Sequence, residues 1–194
     1  MQKHLNQIKL FHSNIYLGEL NFTPDLIYNI LNLKDSVHST TLSNKGGWQS
    51  PAYTSYLCNN FMRPVLDNIT EHLIPIYDSY GIDSPPTLSN YWFNVNDKFH
   101  YNEAHHHPFS YFSICLYLKI PKNSGNIVFT RPDMLSSTIN INKQKLNENT
   151  WFTYYITPRP NLLIVFPSYL IHTVEPNLTE DEDSERISIA FNFV

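Results

Sequence analysis

The chain has 194 residues and a formal net charge of −4, from 13 Lys+Arg against 17 Asp+Glu. That length suits one domain, read here over 1–194, and buries a substantial core without disulfide or zinc staples. With 42% hydrophobic and 14% aromatic residues, the chain is neither disordered nor of low complexity. The mild acidity argues against charge-driven binding to nucleic acid, which needs a basic face. Nothing in the sequence resembles the run of about 18 apolar residues that a membrane-spanning helix needs. The first seven residues, Met1 to Gln7, lack the apolar core of a signal peptide. Cys58 and Cys115 both lie in apolar segments, and two buried, reduced thiols suit a cytoplasmic setting.

Residues 1–84 read as a helical N-terminal support. Thr23 is a candidate N-cap, with Pro24 at the first helical position and Leu26, Ile27, Ile30 and Leu31 at helix spacing. A second helix is predicted from about Asn60 to Tyr80. Its apolar positions Phe61, Val65, Ile69, Leu73, Ile76 and Tyr80 recur every three or four residues, and Gly81 ends it. Pro64 suits its first turn, and Pro75 predicts a kink.

After Pro85-Pro86 the texture changes to aromatic and β-branched segments separated by turn signals. Strands are predicted over 87–95, 103–107, 110–119, 125–130, 150–157, 161–166, 171–175 and 185–193. Eight short strands behind a helical segment predict a mainly β protein. Its core over 85–194 would be a jelly roll or related double sheet, with the helices over one outer face.

Histidine is over-represented: there are nine, and His100, His105, His106 and His107 crowd into eight positions. In an extended strand, residues i and i+2 share a face, so Glu103, His105 and His107 would point one way and His106 the other. Two imidazoles on one face can converge on a metal ion if a third ligand arrives from a neighbouring strand. His172 is the candidate, placed where the chain re-enters a strand after the apolar run broken at Pro167. His100 and His106 read as surface residues.

In the last strand, Ile187, Ile189, Phe191 and Phe193 line one face and Arg186, Ser188, Ala190 and Asn192 the other. The second face suits either solvent or the interior of a barrel that holds a polar ligand. Arg186 and Ser188 together can grip a carboxylate. Tyr117 can hydrogen-bond a cosubstrate or do structural work, and Asn94 can face the site or cap a strand end. Trp48, Trp92 and Trp151 read as core or pocket wall.

Several short motifs, in order, carry a family resemblance. They are Gly46-Gly47-Trp48-Gln49-Ser50, Trp92-Phe93-Asn94-Val95-Asn96, His105-His106-His107-Pro108, Ser113 to Leu118, Ser124-Gly125, Phe166-Pro167-Ser168, His172 and Arg186 to Asn192. Over roughly residues 46–194 the chain resembles the 2-oxoglutarate/Fe(II)-dependent oxygenases of marine bacteria and their phages. The resemblance implies a cupin-like double-stranded β-helix, Fe(II), 2-oxoglutarate, O₂ and an unidentified primary substrate, with hydroxylation as the default outcome. It also implies His105 and His172 as iron ligands, and Arg186, assisted by Ser188, as partner of the far carboxylate of 2-oxoglutarate.

One position departs from the wider pattern. The second ligand, two residues after the first His, is usually Asp or Glu, and here it is His107. A neutral imidazole there leaves an Fe(II) site one unit more positive than two His and a carboxylate. Glu103 is the alternative third ligand. A zinc-dependent hydrolase on three histidines and a non-catalytic cupin-like metal- or ligand-binding protein are the competing functions. Neither the primary substrate nor the oligomeric state is legible.

Overall fold

A computed structural model describes residues 8–133, 135 and 146–194; the N-terminal heptapeptide considered above lies outside them. The strands are β1 (Tyr16–Glu19), β2 (Asn44–Lys45), β3 (Trp48–Gln49), β4 (Leu88–Asn96), β5 (Tyr101–His105), β6 (Phe112–Lys119), β7 (Ile127–Thr130), β8 (Thr153–Ile156), β9 (Leu162–Pro167), β10 (His172–Val174) and β11 (Arg186–Phe193). They form two antiparallel sheets, ordered β1-β9-β6-β11-β4-β3 and β2-β5-β10-β7-β8. This is the expected mainly β, two-sheet architecture, and each of the eight predicted strands has its counterpart.

The N-terminal part is helical only in part. Helices α1 (Asp25–Ser36) and α2 (Arg63–Ser79) are present, but β1, β2 and β3 also come from this region and extend both sheets. These strands are two to four residues long, too short to print an alternation in the sequence. Helix α1 starts after Pro24, with Leu26 N–H donating to the Thr23 carbonyl rather than to a side-chain cap. Helix α2 carries Pro75 in its interior and closes at Gly81, whose φ is +68°. Ile82 N–H donates back to Tyr77 O, and Gly81 N–H to Asp78 O, satisfying two terminal carbonyls.

Both faces of the six-stranded sheet are covered. On the outer face Ile69, Leu73 and Tyr77 of α2 and Ile30 of α1 pack in one cluster with Phe93, Ile114, Leu116, Val165, Ile189 and Phe191. On the inner face Tyr117, Ile164 and Phe166 pack with Ile127 and Phe129 of the second sheet. The continuous apolar run Leu162–Phe166 follows from this double burial: Leu163 and Val165 join the first cluster, Leu162, Ile164 and Phe166 the second. Among the described residues no helix is long and apolar enough to cross a membrane. Cys58 is exposed, against the expectation of two buried thiols, and Cys115 is partly buried; both are unpaired.

Leu73 is fully buried between α2 and the sheet. Leu73→Ala is expected to cost about 2–5 kcal/mol of folding stability, measured by urea denaturation with the m-value unchanged.

Candidate metal centre

Three histidine side chains meet between the sheets. The ligand atoms of His105, His107 and His172 all lie within 4.8 Å of one another. The His105 and His172 rings are 4.3 Å apart, His105 and His107 5.0 Å, and His107 and His172 5.2 Å. His105 ends β5 and His172 begins β10, directly opposite it in register.

A bulge decides which residues of β5 face inward. His172 pairs with His105, but Val174 pairs with Asn102, so three residues of β5 oppose two of β10. Asn102 and His105 therefore line the cavity, and Glu103 is turned out of it. Glu103 is exposed and its carboxylate meets Lys45 Nζ at 3.0 Å. The alternation expected to carry Glu103 inward beside His105 is broken by that extra residue, and Glu103 stays outside the cluster. His107 lies beyond the end of β5, so strand alternation does not aim it either. Its backbone N–H donates to Ser168 O at 2.9 Å, which ties it to the turn after β9.

Two of the rings have a fixed tautomer. His105 Nδ1 lies 2.7 Å from Glu103 O, and His172 Nδ1 2.9 Å from Leu170 O. A carbonyl only accepts, so each Nδ1 carries the proton and each Nε2 keeps a free lone pair. An outer hydrogen bond of this kind accompanies metal-ligating histidines, because it orients the ring and raises its basicity. Burial, helped by the neighbouring histidines, pushes both His107 and His172 down to about 3. Burial lowers His105 as well, opposed by its bond to Glu103 O. The three rings form a neutral donor set that suits a divalent transition metal.

The same cavity, about 50 Å³, is lined by Trp92, Asn94, Cys115, Tyr117, Phe166, Arg186 and Ser188 as well as the three histidines. The inner face of β11 is thus an interior wall, not a solvated face: Arg186 is 2% exposed and Ser188 9%. Arg186 Nη1 donates to the carbonyls of Ser124 and, at 3.1 Å, Glu175. Its Nη2 has no partner, and nor does the buried hydroxyl of Tyr117. Among the described residues no carboxylate pairs with this guanidinium. Burial lowers the Arg186 pKa, with Tyr117 and Cys115 opposing, yet a guanidinium keeps its proton. Burial holds Tyr117 well above its usual range and Cys115 at about 11, so both are neutral. An uncompensated buried cation beside an unpartnered hydroxyl has the chemistry to receive an anion.

The anion pocket and the histidines are spaced along β10. Arg186 bonds Glu175 O, three residues after His172 on extended chain, about 10 Å at roughly 3.3 Å per residue. A dicarboxylate of five carbons, with bonds of about 1.5 Å, can bridge a hydrogen bond at one end and a metal at the other. The cavity has room for a few waters, so its entry must spread the lining side chains.

The other candidates sort out. His106 is exposed, and His100 is half-buried with Nδ1 accepting the Asp97 N–H at 2.9 Å. Trp48 packs on the helix-side core, and Trp151 is 37% exposed against Tyr154. Gly47, one of the paired glycines, has no room for a side chain: a Cβ there would stand 1.9 Å from Asn96 Oδ1. The polar residues Ser113, Ser168 and Asn192, buried beneath the His107 turn, fall within the family-like motifs, but no periodicity or spacing assigned them a role.

Solved structures share the fold. A prolyl-4-hydroxylase from Pseudomonas putida is 14% identical with a TM-score of 0.60, covering 93% of this chain and 92% of that one. HygX from Streptomyces hygroscopicus, solved with nickel, 2-oxoglutarate and hygromycin B bound, is 12% identical with a TM-score of 0.59, covering 93% and 82%. A viral collagen prolyl hydroxylase from Paramecium Bursaria Chlorella virus-1 is 12% identical with a TM-score of 0.57, covering 92% and 94%. These neighbours have the double-stranded β-helix, which this chain shares. A search of curated proteins found no match. The family model described as "Putative 2OG-Fe(II) oxygenase" matches residues 90–192, 103 of the 194 residues, and the chain belongs to this family of 2-oxoglutarate- and Fe(II)-dependent oxygenases.

Proposed function

We propose that this oxygenase hydroxylates a C–H bond of an unidentified primary substrate, with His105, His107 and His172 holding Fe(II) and Arg186, Ser188 and Tyr117 holding 2-oxoglutarate. The observation that carries the reading is the buried, unpaired Arg186 guanidinium in the same cavity as three free imidazole nitrogens. Fe(II) held there supplies the redox chemistry that couples decarboxylation of 2-oxoglutarate, to succinate and CO₂, with transfer of one oxygen atom of O₂ to the substrate.

The chain's own residues bind, orient and exclude water. The three histidines are already neutral, so they take a metal without first losing protons. Arg186 Nη2 and the Tyr117 hydroxyl donate to the far carboxylate, and Ser188, two residues along β11 from Arg186, donates beside them. A cosubstrate held there would have its other end toward the histidines, which line the same cavity. Ile127, Phe166 and Val174 supply the apolar wall that keeps water from the reacting end. A zinc hydrolase on the same histidines, or a cupin-like binder of metal alone, leaves Arg186 with no anion to meet. Two unpaired thiols, one of them exposed, suit a reducing cytoplasm.

Under anaerobic conditions, Fe(II) and 2-oxoglutarate together are expected to give a visible charge-transfer band. Arg186→Ala should weaken 2-oxoglutarate binding roughly thirty- to several-hundred-fold, the loss of charged hydrogen bonds worth about 2–4 kcal/mol, while metal affinity is kept. Equal loss of both, or no band with wild type, contradicts the reading. His107→Asp should retain iron; metal affinity indifferent to both His107→Ala and His107→Asp removes His107 from the ligand set.

The depressed histidines also set a pH dependence. His107 and His172 titrate near 3 when folded and near 6.5 when unfolded. Between those values the unfolded chain binds more protons, so the stability of metal-free protein falls as pH drops below about 6.5. Melting temperature from pH 7 to 4 should fall less steeply in His172→Gln than in wild type; parallel slopes contradict the burial argument.

A further inference from the structure

Of the three histidines, His107 alone has no ring hydrogen bond to a carbonyl two residues back. Its position depends on main chain. Ser168 accepts the His107 N–H at 2.9 Å and donates its own N–H to Tyr111 O at 3.0 Å, clamping both ends of the turn His107–Tyr111. Within that turn Phe109 has φ +67° and is 95% exposed. A non-glycine residue in the left-handed region is held there by its surroundings.

Ser168 is in turn fixed by a buried polar chain. The Ser113 hydroxyl donates to Asn192 Oδ1 at 2.7 Å, and Asn192 Nδ2 donates to Asn90 Oδ1 at 2.9 Å. A hydroxyl has one proton, so the 2.8 Å contact between the Ser113 and Ser168 hydroxyls places the donor on Ser168. Ser113, Ser168 and Asn192 are at most 6% exposed. Each link polarises the next in the same direction.

We propose that Ser168, Ser113 and Asn192 act as positioning residues for His107, fixing the turn that delivers the third imidazole to the metal. The inference rests on His107 being a ligand. It explains how a ligand outside any strand is positioned, where His105 and His172 are aimed by their strands and Nδ1 bonds. The chain lies on the inner face of β11 and β6, at the far end of β11 from Arg186, where Asn192 and Ser113 are paired in register. One strand thus anchors the cosubstrate at its start and the metal-bearing turn at its end.

The test is a double-mutant cycle read by Co(II) affinity and Co(II) visible absorption, with intact protein. Ser113→Ala should weaken Co(II) about ten- to a hundred-fold, the usual effect of removing an outer partner of a metal ligand, and should alter the absorption bands. In the His107→Ala background the same substitution should change Co(II) affinity less than twofold. Ser113→Thr, which keeps the hydroxyl, should restore wild-type affinity, and Ser168→Ala should repeat the loss should Ser113→Ala fold poorly. Equal losses in both backgrounds, or no loss in either, overturn the inference while leaving the ligand assignment standing. Wild-type affinity in His107→Ala alone overturns the assignment and the inference together.

Discussion

A guanidinium taken out of water with no carboxylate beside it costs a protein several kcal/mol, and the interior of this one is arranged around that cost at Arg186. The side chain is almost fully buried, two backbone carbonyls occupy one terminal nitrogen, Nη1, and the other, Nη2, is unpaired. Such a group persists in a fold when something other than folding requires it. On the proposed function, a dianionic cosubstrate bound there would remove the penalty, and the energy withheld from stability would return as affinity and orientation.

The metal end follows a different logic. No charge is buried there: the donors are neutral imidazoles, and desolvation keeps them neutral well below the ordinary histidine range. A site of three neutral ligands depends on direction more than on Coulomb attraction. Two rings are turned by their Nδ1 bonds to carbonyls at i−2, and the third rides on a turn tied to Ser168. The positive Arg186 at one end and a divalent cation at the other together match a ligand with a carboxylate at each end.

Much of this was legible in the sequence because it rests on period-two patterning. The strand Arg186–Phe193 alternates cleanly, and its apolar half packs on the helices while its polar half lines the cavity. The apolar run Leu162–Phe166 announced a strand, and the structure buries it on both faces. What alternation could not carry is where register breaks. The β5 bulge turned Glu103 out to Lys45, and His107, which alternation grouped with His105, reaches the cluster from a turn beyond β5 through a main-chain bond to Ser168 that has no periodic signature. The N-terminal strands were missed for a related reason: two to four residues do not make a pattern.

The most direct test of the account is a crystal structure of anaerobic protein with Mn(II) and 2-oxoglutarate bound. On this account a nitrogen atom of each of His105, His107 and His172 is bonded to the metal, and the far carboxylate of 2-oxoglutarate lies on Arg186 Nη2 and the Tyr117 hydroxyl. A metal that takes Glu103 in place of His107, or a carboxylate that leaves Arg186 unpaired, would contradict it.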